Sequence, residues 1–285
     1  MISNTQFEKE LEIIVANALR EDVGDGDHSS LACIPEDAQG KAQLLVKDTG
    51  IIAGIAFAER VFQAVDSNLD VHCLMEEGTL VKPGDVVLTV SGSTQAILKA
   101  ERLVLNAVQR MSAIATKTHS YVALLEGTHT KILDTRKTTP GIRALEKWAV
   151  KIGGGVNHRF ALYDAIMLKD NHIDFAGGIS QAIQKTQAYL AATGKDLALI
   201  VEARNLEEVR EILRSDGVHR ILLDNFNYED TRKAVAMING KCQTESSGNI
   251  NEETLRNYAE CGVDFISSGA LTHSIYNMDL SLKAC

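Results

Sequence analysis

Proline is scarce in this sequence, with three residues in 285 and no low-complexity run, which argues against long disordered linkers. Cysteine is sparse as well. The five cysteines (Cys33, Cys73, Cys242, Cys261, Cys285) are odd in number, scattered and without CxxC spacing, so reduced thiols in a cytoplasmic protein are the simplest expectation. No stretch approaches the roughly 18 consecutive apolar residues of a membrane span, so none is expected. The opening MISNTQFEKELEIIVANALREDVG is an amphipathic helical pattern without a basic segment followed by an apolar one, so no signal peptide is expected either. Positive charge is in deficit overall: a net charge of -9 and a pI near 5.4 disfavour a general nucleic-acid binder. The dinucleotide fingerprint GxGxxG is also missing. GGGVNH lacks its spacing, and no such motif follows the first strand, which argues against a doubly wound dinucleotide-binding sheet.

What is present is ordinary globular composition, 45% hydrophobic and 24% charged, on a chain long enough for a large core and two domains. After the opening helix, EDVGDGDHSS is a turn-forming cluster. KAQLLVKDTGIIAGI alternates loosely like strands, AFAERVFQAV is helical, and VHCLMEEGTLVKPGDVVLTVSGS reads as short strands joined at Glu77-Gly78 and Lys82-Pro83-Gly84-Asp85. That last phrase resembles the sandwich of biotinyl and lipoyl carrier domains, which makes a swinging-arm carrier a competing functional class. Lys82 lacks the hairpin-tip context a prosthetic group needs, and reads as a solvated turn residue. A helix is expected from about Leu98 to Leu125, with Leu103, Leu105, Val108, Met111 and Ile114 at recurring apolar positions.

From Lys131 onward the pattern alternates. KILDT, VKIGG, AIMLKD, LALIVEA, RILLDN, KCQTESSG and FISSGA are strand candidates separated by amphipathic stretches such as NLEEVREILRSDG and YEDTRKAVAMING. Polar residues end successive strands at regular intervals: Glu202, then Asp224 22 residues on, Glu245 after 21 and Ser268 after 23. One βα unit per step fits a barrel. Seven candidates give an α/β chain with an incomplete (open, about seven-stranded) β/α barrel preceded by an α+β sandwich domain, and a site at the C-terminal strand ends.

Residues 134–172 hold seven Lys/Arg (Arg136, Lys137, Arg143, Lys147, Lys151, Arg159, Lys169) against four Asp/Glu (Asp134, Glu146, Asp164, Asp170), a local +3 within an acidic protein. Such an island suits a small polyanion. Each member also has a plainer reading. Arg136-Lys137 before TTPG is otherwise a solvated rim, and His158 taken alone is a structural histidine. Three glycines before His158-Arg159 strengthen the functional reading, because glycine lets backbone N–H groups approach a ligand. Lys169 ends the apolar run AIML, where an unpaired ammonium is costly unless it meets an anion. Glu202 and Asp224 are each readable as helix N-terminal charges. As a pair they can hold Mg²⁺ through water and face a cationic transition state. Ser247-Gly248-Asn249 and Ser268-Gly269-Ala270 follow the last strands, where barrels bind phosphate with backbone N–H groups and helix N-termini.

The runs DTRKTTPG and GGGVNHRFALYDAIMLKDNH resemble the signature of the quinolinate phosphoribosyltransferase family, the carboxylating nicotinate-nucleotide pyrophosphorylases. The match continues through ERLVLNAVQRMSAIAT, ESSGNI and FISSGALTHS, so it spans nearly the whole chain. Ala113 and Ala161 depart from glycines that are more frequent in the family, as does Asn249, where many members have a second glycine. The resemblance implies transfer from phosphoribosyl pyrophosphate to quinolinate with decarboxylation, giving nicotinate mononucleotide for NAD synthesis. It implies an α/β sandwich over 1–112, with 274–285 packing back on it, and a barrel over 113–273. By the same token, Arg102, Arg136, His158, Arg159 and Lys169 would take the two quinolinate carboxylates, Arg102 entering the partner's site of a homodimer. Lys137 and Mg²⁺ would offset charge on pyrophosphate. Glu202 and Asp224 would hold the metal and favour the cationic ribose, so that Lys137, Lys169, Glu202 and Asp224 form the catalytic set. Thr135, Ser247–Asn249, Ser268–Ala270 and His273 complete the binding residues. A pyrophosphorylase-like relative of the molybdate-transport type shares the scaffold, and the combination TRK, NHR and KDNH is what separates the two. The Thr-Gly-Gly loop with two acidic residues that marks the other large phosphoribosyltransferase class is absent, and LLDNFN does not replace it.

Overall fold

The computed structural model describes residues 3–285. In chain order the elements are α1 (Asn4–Val23), α2 (His28–Cys33), β1 (Gln39–Val46), β2 (Gly50–Ile51), α3 (Ile55–Val65), β3 (Asp70–Cys73), β4 (Leu80–Val81), β5 (Val86–Ser93) and the long α4 (Thr94–Leu124). There follow β6 (Lys131–Leu133), α5 (Arg143–Ile152), β7 (Ile166–Leu168), α6 (Asp170–Ala176), α7 (Ile179–Thr193), β8 (Leu199–Ala203), α8 (Leu206–Ile212) and β9 (Arg220–Asp224). The chain ends with α9 (Tyr228–Ile238), β10 (Gln243–Ser247), α10 (Leu255–Ala259), β11 (Phe265–Ser267), α11 (Ala270–His273) and β12 (Leu280–Ala284).

These elements fall into two compact units. One runs to His119 and adds Lys137–Gly154 and Leu271–Cys285; the other joins Ser120–Arg136 to Gly155–Ala270. The expected boundary at 112/113 lies inside helix α4, the same helix along which the chain passes from one compact unit to the other, between His119 and Ser120.

The first unit is built on an antiparallel sheet ordered β12-β1-β5-β3. Ala42, Leu44 and Val46 of β1 alternate inward with the two-residue period of a half-buried strand. The C-terminal strand closes the sheet edge, pairing Leu282 with Leu44. Polar groups of α4 replace missing ladder bonds at β2: Thr116 Oγ1 accepts from Ile51 N (2.8 Å), and Ser112 Oγ accepts from Ala53 N (3.0 Å). Lys82 lies exposed in a turn where its backbone N–H donates to Asp85 (2.9 Å), as a solvated turn residue does.

Helix α5 corrects one strand assignment. The VKI of VKIGG is helical and its glycines form the turn that follows: RALEKWAVKI buries Ala144, Leu145, Ala149 and Val150 on one stripe, and its apolar end is the last turn of that face. Glu146, fully buried, accepts from Arg110 Nε (2.6 Å) and from Thr139 N (3.0 Å), while Arg110 Nη2 donates to Thr139 Oγ1 (2.9 Å). The TTPG loop is therefore pinned to α4 within the same unit. The first glycine of GGG has a packing purpose and not a ligand-facing one. A Cβ on Gly153 would lie 2.4 Å from Ala115 O and 2.7 Å from Thr118 Cβ, so α5 can end against α4 only with glycine there.

In the second unit, among the described residues, six parallel strands pair in the order β6-β11-β10-β9-β8-β7. A single-residue parallel bridge from Val156 to Leu133 extends the β6 edge, and this bridge takes the place of the seventh strand expected at VKIGG. Helices alternate with the strands, as the open β/α expectation required. All five residues of β8 are buried, the pattern of a strand covered on both faces. Asn205 and Asn227 cap α8 and α9, each side chain accepting from the backbone N–H three residues on.

Gly153→Ala is expected to cost about 1–3 kcal/mol by overpacking, a fall in Tm of several degrees. An unchanged Tm in a thermal melt would mean that the two helices have room at this crossing.

Candidate active site

Parallel register brings residues that are distant in sequence to one end of the sheet. Leu168 pairs with Val201, Glu202 with Leu222, Asp224 with Ser247 and Ser267 with Leu133. Lys169, Glu202, Asp224, Ser247, Ser268 and Thr135 therefore all belong to the C-terminal strand ends of one unit. There Lys169 Nζ lies 3.8 Å from Glu202 Oε2. Lys169 is half exposed, so it escapes the desolvation that the apolar run before it suggested. Glu202 is the buried partner, its side chain 9% exposed. Burial pushes its carboxyl above the usual value; Lys169 opposes that shift and Asp224, on the neighbouring strand, adds to it.

The NHR turn follows Val156. Asp134, fully buried, accepts from His158 N (2.8 Å) through one oxygen and from Asn157 Nδ2 (2.5 Å) through the other. His158 is buried, with Nδ1 accepting from Arg159 N (2.6 Å) and Nε2 3.3 Å from Glu245, so its ring is turned to protein groups and not to the quinolinate carboxylate expected of it from the sequence. Arg159 is partly buried and donates to Ala165 O (3.1 Å). Its guanidinium is held below its ordinary value by burial first and then by the charge of Arg136, with Asp164 opposing. Both Asp164 oxygens are already engaged by backbone N–H groups, of Phe160 (2.7 Å) and Ala161 (2.8 Å). Two mutually repelling guanidinium groups with one committed counter-charge form a place where an anion relieves repulsion.

At the other edge of the site, Gly248 has φ +99°, and a Cβ there would lie 2.2 Å from Asn225 Oδ1. Asn249 follows at φ +51°, a left-handed conformation that asparagine tolerates and glycine adopts freely. This is the physical reason the family's second glycine can be replaced here. Ser268 is buried and its hydroxyl donates to Ile250 O (3.4 Å). The helices after these turns differ from expectation. α10 spans five residues and starts only at Leu255, and α11 spans four, so backbone N–H groups of the turns, not long helix dipoles, are what a phosphate would meet.

The remaining predicted residues belong to the first unit. Arg102 is exposed on α4, Lys137 is exposed, and His273 is exposed with Nδ1 2.7 Å from Ser274 Oγ. Thr272 Oγ1 donates to Lys137 O (2.9 Å), which places Lys137 and His273 in one neighbourhood. Buried charges were the feature least visible in the sequence. Asp134 and Glu245 read there as a strand-end count and a spacing mark, although an acid inside an apolar strand signals an interior partner.

The raised carboxyl of Glu202 makes a prediction with a defined sign. The unfolded chain loses this proton near 4.5 and the native state higher, so the burial cost grows as pH rises through that window. Glutamine does not titrate. The Tm of Glu202→Gln minus that of wild type is therefore expected to increase from about pH 4 to pH 7. A difference independent of pH would mean that the carboxylate bears no such cost.

Comparison with known proteins gives the family of the chain. The family model of the quinolinate phosphoribosyl transferase C-terminal domain matches residues 114–283, and that of the N-terminal domain matches 27–112. The chain is 43% identical to the chloroplastic nicotinate-nucleotide pyrophosphorylase [carboxylating] of Oryza sativa subsp. japonica over 290 residues, covering 96% of this chain and 77% of the rice protein. It is 38% identical to the probable nicotinate-nucleotide pyrophosphorylase [carboxylating] of Bacillus subtilis, covering 96% of this chain and 93% of that one. The solved nicotinate-nucleotide pyrophosphorylase of Francisella tularensis superposes with a TM-score of 0.90 at 36% identity, covering 100% of this chain and 98% of that chain. With both domain models in order along the chain and whole-length relatives well above 30% identity, the chain belongs to the quinolinate phosphoribosyltransferase family.

Proposed function

We propose that this chain transfers the phosphoribosyl group of phosphoribosyl pyrophosphate to the ring nitrogen of quinolinate and releases pyrophosphate and carbon dioxide, giving nicotinate mononucleotide for NAD synthesis. The observation that carries the reading is the opposed charge at the strand ends: the guanidinium pair Arg136 and Arg159 on one side, the carboxylates Glu202 and Asp224 on the other. A pyridine with adjacent carboxylates matches the first, and fork-shaped donors suit carboxylates better than point charges do. As pyrophosphate departs, the ribose carbon becomes positive. A carboxylate that is costly to bury alone gains most when such a cation forms beside it, so Glu202 and Asp224 favour the transition state over the ground state.

The assignments follow from that division. Arg136, Arg159, Lys169 and, from a neighbouring subunit, Arg102 take the quinolinate carboxylates; Thr135, Lys137, His273 and the turns at Ser247–Asn249 and Ser268–Ala270 take the phosphates. Two repelling carboxylates on neighbouring strands fit Mg²⁺, which prefers a few carboxylates plus water and substrate oxygens to a full protein cage. When bound, the ion supplies positive charge against the leaving pyrophosphate. Glycosylation turns the ring nitrogen into a pyridinium that stabilises the electron pair left on C2 when the 2-carboxylate departs as carbon dioxide, and C2 then takes up a proton from solvent. A cytoplasmic setting belongs to the same reading, supported by five cysteines that are all free thiols.

The direct test is turnover of quinolinate and phosphoribosyl pyrophosphate with one carbon dioxide released per nicotinate mononucleotide. Absence of carbon dioxide, or turnover of pyridines lacking the 2-carboxylate, would overturn the reading. Arg136→Lys, which keeps charge and loses the fork, is expected to weaken quinolinate binding by about 1.5–3 kcal/mol while phosphoribosyl pyrophosphate binding is largely kept. An unchanged quinolinate dissociation constant would remove Arg136 from the carboxylate site.

The homodimer is tested by complementation. If Arg102 serves the partner's site, Arg102→Ala and Lys169→Ala proteins are each nearly inactive, and an exchanged mixture recovers roughly a quarter of wild-type activity, because each mixed dimer has one intact site. Subunit exchange without recovery would mean that Arg102 acts in its own subunit or not at all.

A further inference from the structure

The interior of the open barrel contains charge that the transfer reaction does not use. Glu245 is fully buried on β10, and Arg220 Nη1 donates to its Oε2 at 2.9 Å. The same guanidinium donates to Gln243 Oε1 from Nε (3.3 Å) and Nη2 (3.1 Å) and lies 4.0 Å from the centre of the Phe265 ring. Glu245 is thus ionised and balanced from one side. Burial alone would raise its carboxyl, and His158, Arg220 and Ser267 together reverse that and hold it below the usual range. His158 Nε2 lies 3.3 Å from the same oxygen, Oε2. Because His158 Nδ1 accepts the Arg159 backbone N–H at 2.6 Å, the ring proton is assigned to Nε2, within ion-pair distance of Glu245.

The opposite side of this turn is held just as firmly. Asp134 accepts from His158 N and from Asn157 Nδ2, and Val156 N donates to Ile132 O at 2.9 Å while Asp134 N donates to Val156 O at 3.2 Å. The backbone of 157–159 therefore lies between two buried carboxylates, one at the end of β6 and one inside β10. Arg159 is the residue this turn delivers, and it donates onward to Ala165 O at 3.1 Å. A guanidinium fork binds a carboxylate well only in one orientation, and a misplacement of about 1 Å is enough to lose it.

We propose that Asp134 and Glu245 are positioning residues that clamp the Asn157–Arg159 turn from both sides, Glu245 acting through His158, so that Arg159 meets a substrate carboxylate in a preset orientation. This rests on the reading of Arg159 as a carboxylate ligand, and the two can fail separately. Neither acid touches substrate.

The test uses the full chain with Asp134→Asn, Glu245→Gln, Arg159→Lys and the double variant Asp134→Asn/Arg159→Lys. Quinolinate affinity is measured by calorimetry without phosphoribosyl pyrophosphate, alongside KM for phosphoribosyl pyrophosphate and Tm. Asp134→Asn and Glu245→Gln are each expected to weaken quinolinate about tenfold, or about 1.4 kcal/mol, and to leave KM for phosphoribosyl pyrophosphate within about twofold. The double variant is expected to bind quinolinate about as Arg159→Lys does, because the acid acts only through that side chain. Additive losses, or parallel losses for both substrates together with a fall in Tm, would overturn the proposal in favour of a general stability role. If Arg159→Lys weakens quinolinate and the two acid variants do not, positioning fails while the site reading stands. If Arg159→Lys binds quinolinate as wild type does, the carboxylate reading of Arg159 itself fails. Should Glu245→Gln not fold because Arg220 is left uncompensated, Glu245→Gln/Arg220→Gln removes both charges and is judged by the same substrate split.

Discussion

Parallel pairing from β6 to β11 is the constraint on which the site depends. In a parallel sheet every strand ends on the same side, so a residue at or just past the end of each strand joins one rim, however far apart those residues lie in the chain. Glu202, Asp224, Ser247 and Ser268 arrive there from four different βα units. The helices between strands set the spacing, and their capping asparagines fix where each begins. Shifting any strand by one residue would turn its rim side chain to the other face.

Charge is distributed over this frame in two ways. At the rim, charges are left in partial conflict: Arg159 against Arg136, Glu202 against Asp224. Such arrangements are costly in the empty protein and become favourable when polyanionic substrates or a cationic ribose are present, which is how differential binding arises. Beneath the rim, charges meet opposite charges or donors. Glu245 pairs with Arg220, and Asp134 accepts from the NHR turn. These interior pairings hold the unmatched rim in place.

The sequence by itself determined the alternation of strands and helices, the strand-end positions of Lys169, Glu202 and Asp224, and the cationic segment around Arg136 and Arg159. These are local properties, written in hydrophobic period and in spacings of one βα unit, so they are legible without a partner. What only the tertiary structure decided was which charges are interior. VKIGG is apolar whether it extends a helix face or forms a strand, and its helical state follows from Gly153 packing on Ala115 and Glu146 meeting Arg110, 36 residues away. Asp134 and Glu245 look like any acid in a strand until β6 and β10 are assembled in one sheet and the NHR turn is strung between them. Hydrophobic period reports which face of an element is covered. Whether a buried carboxylate is satisfied depends on donors brought to it from elsewhere in the chain, and local pattern carries no record of them.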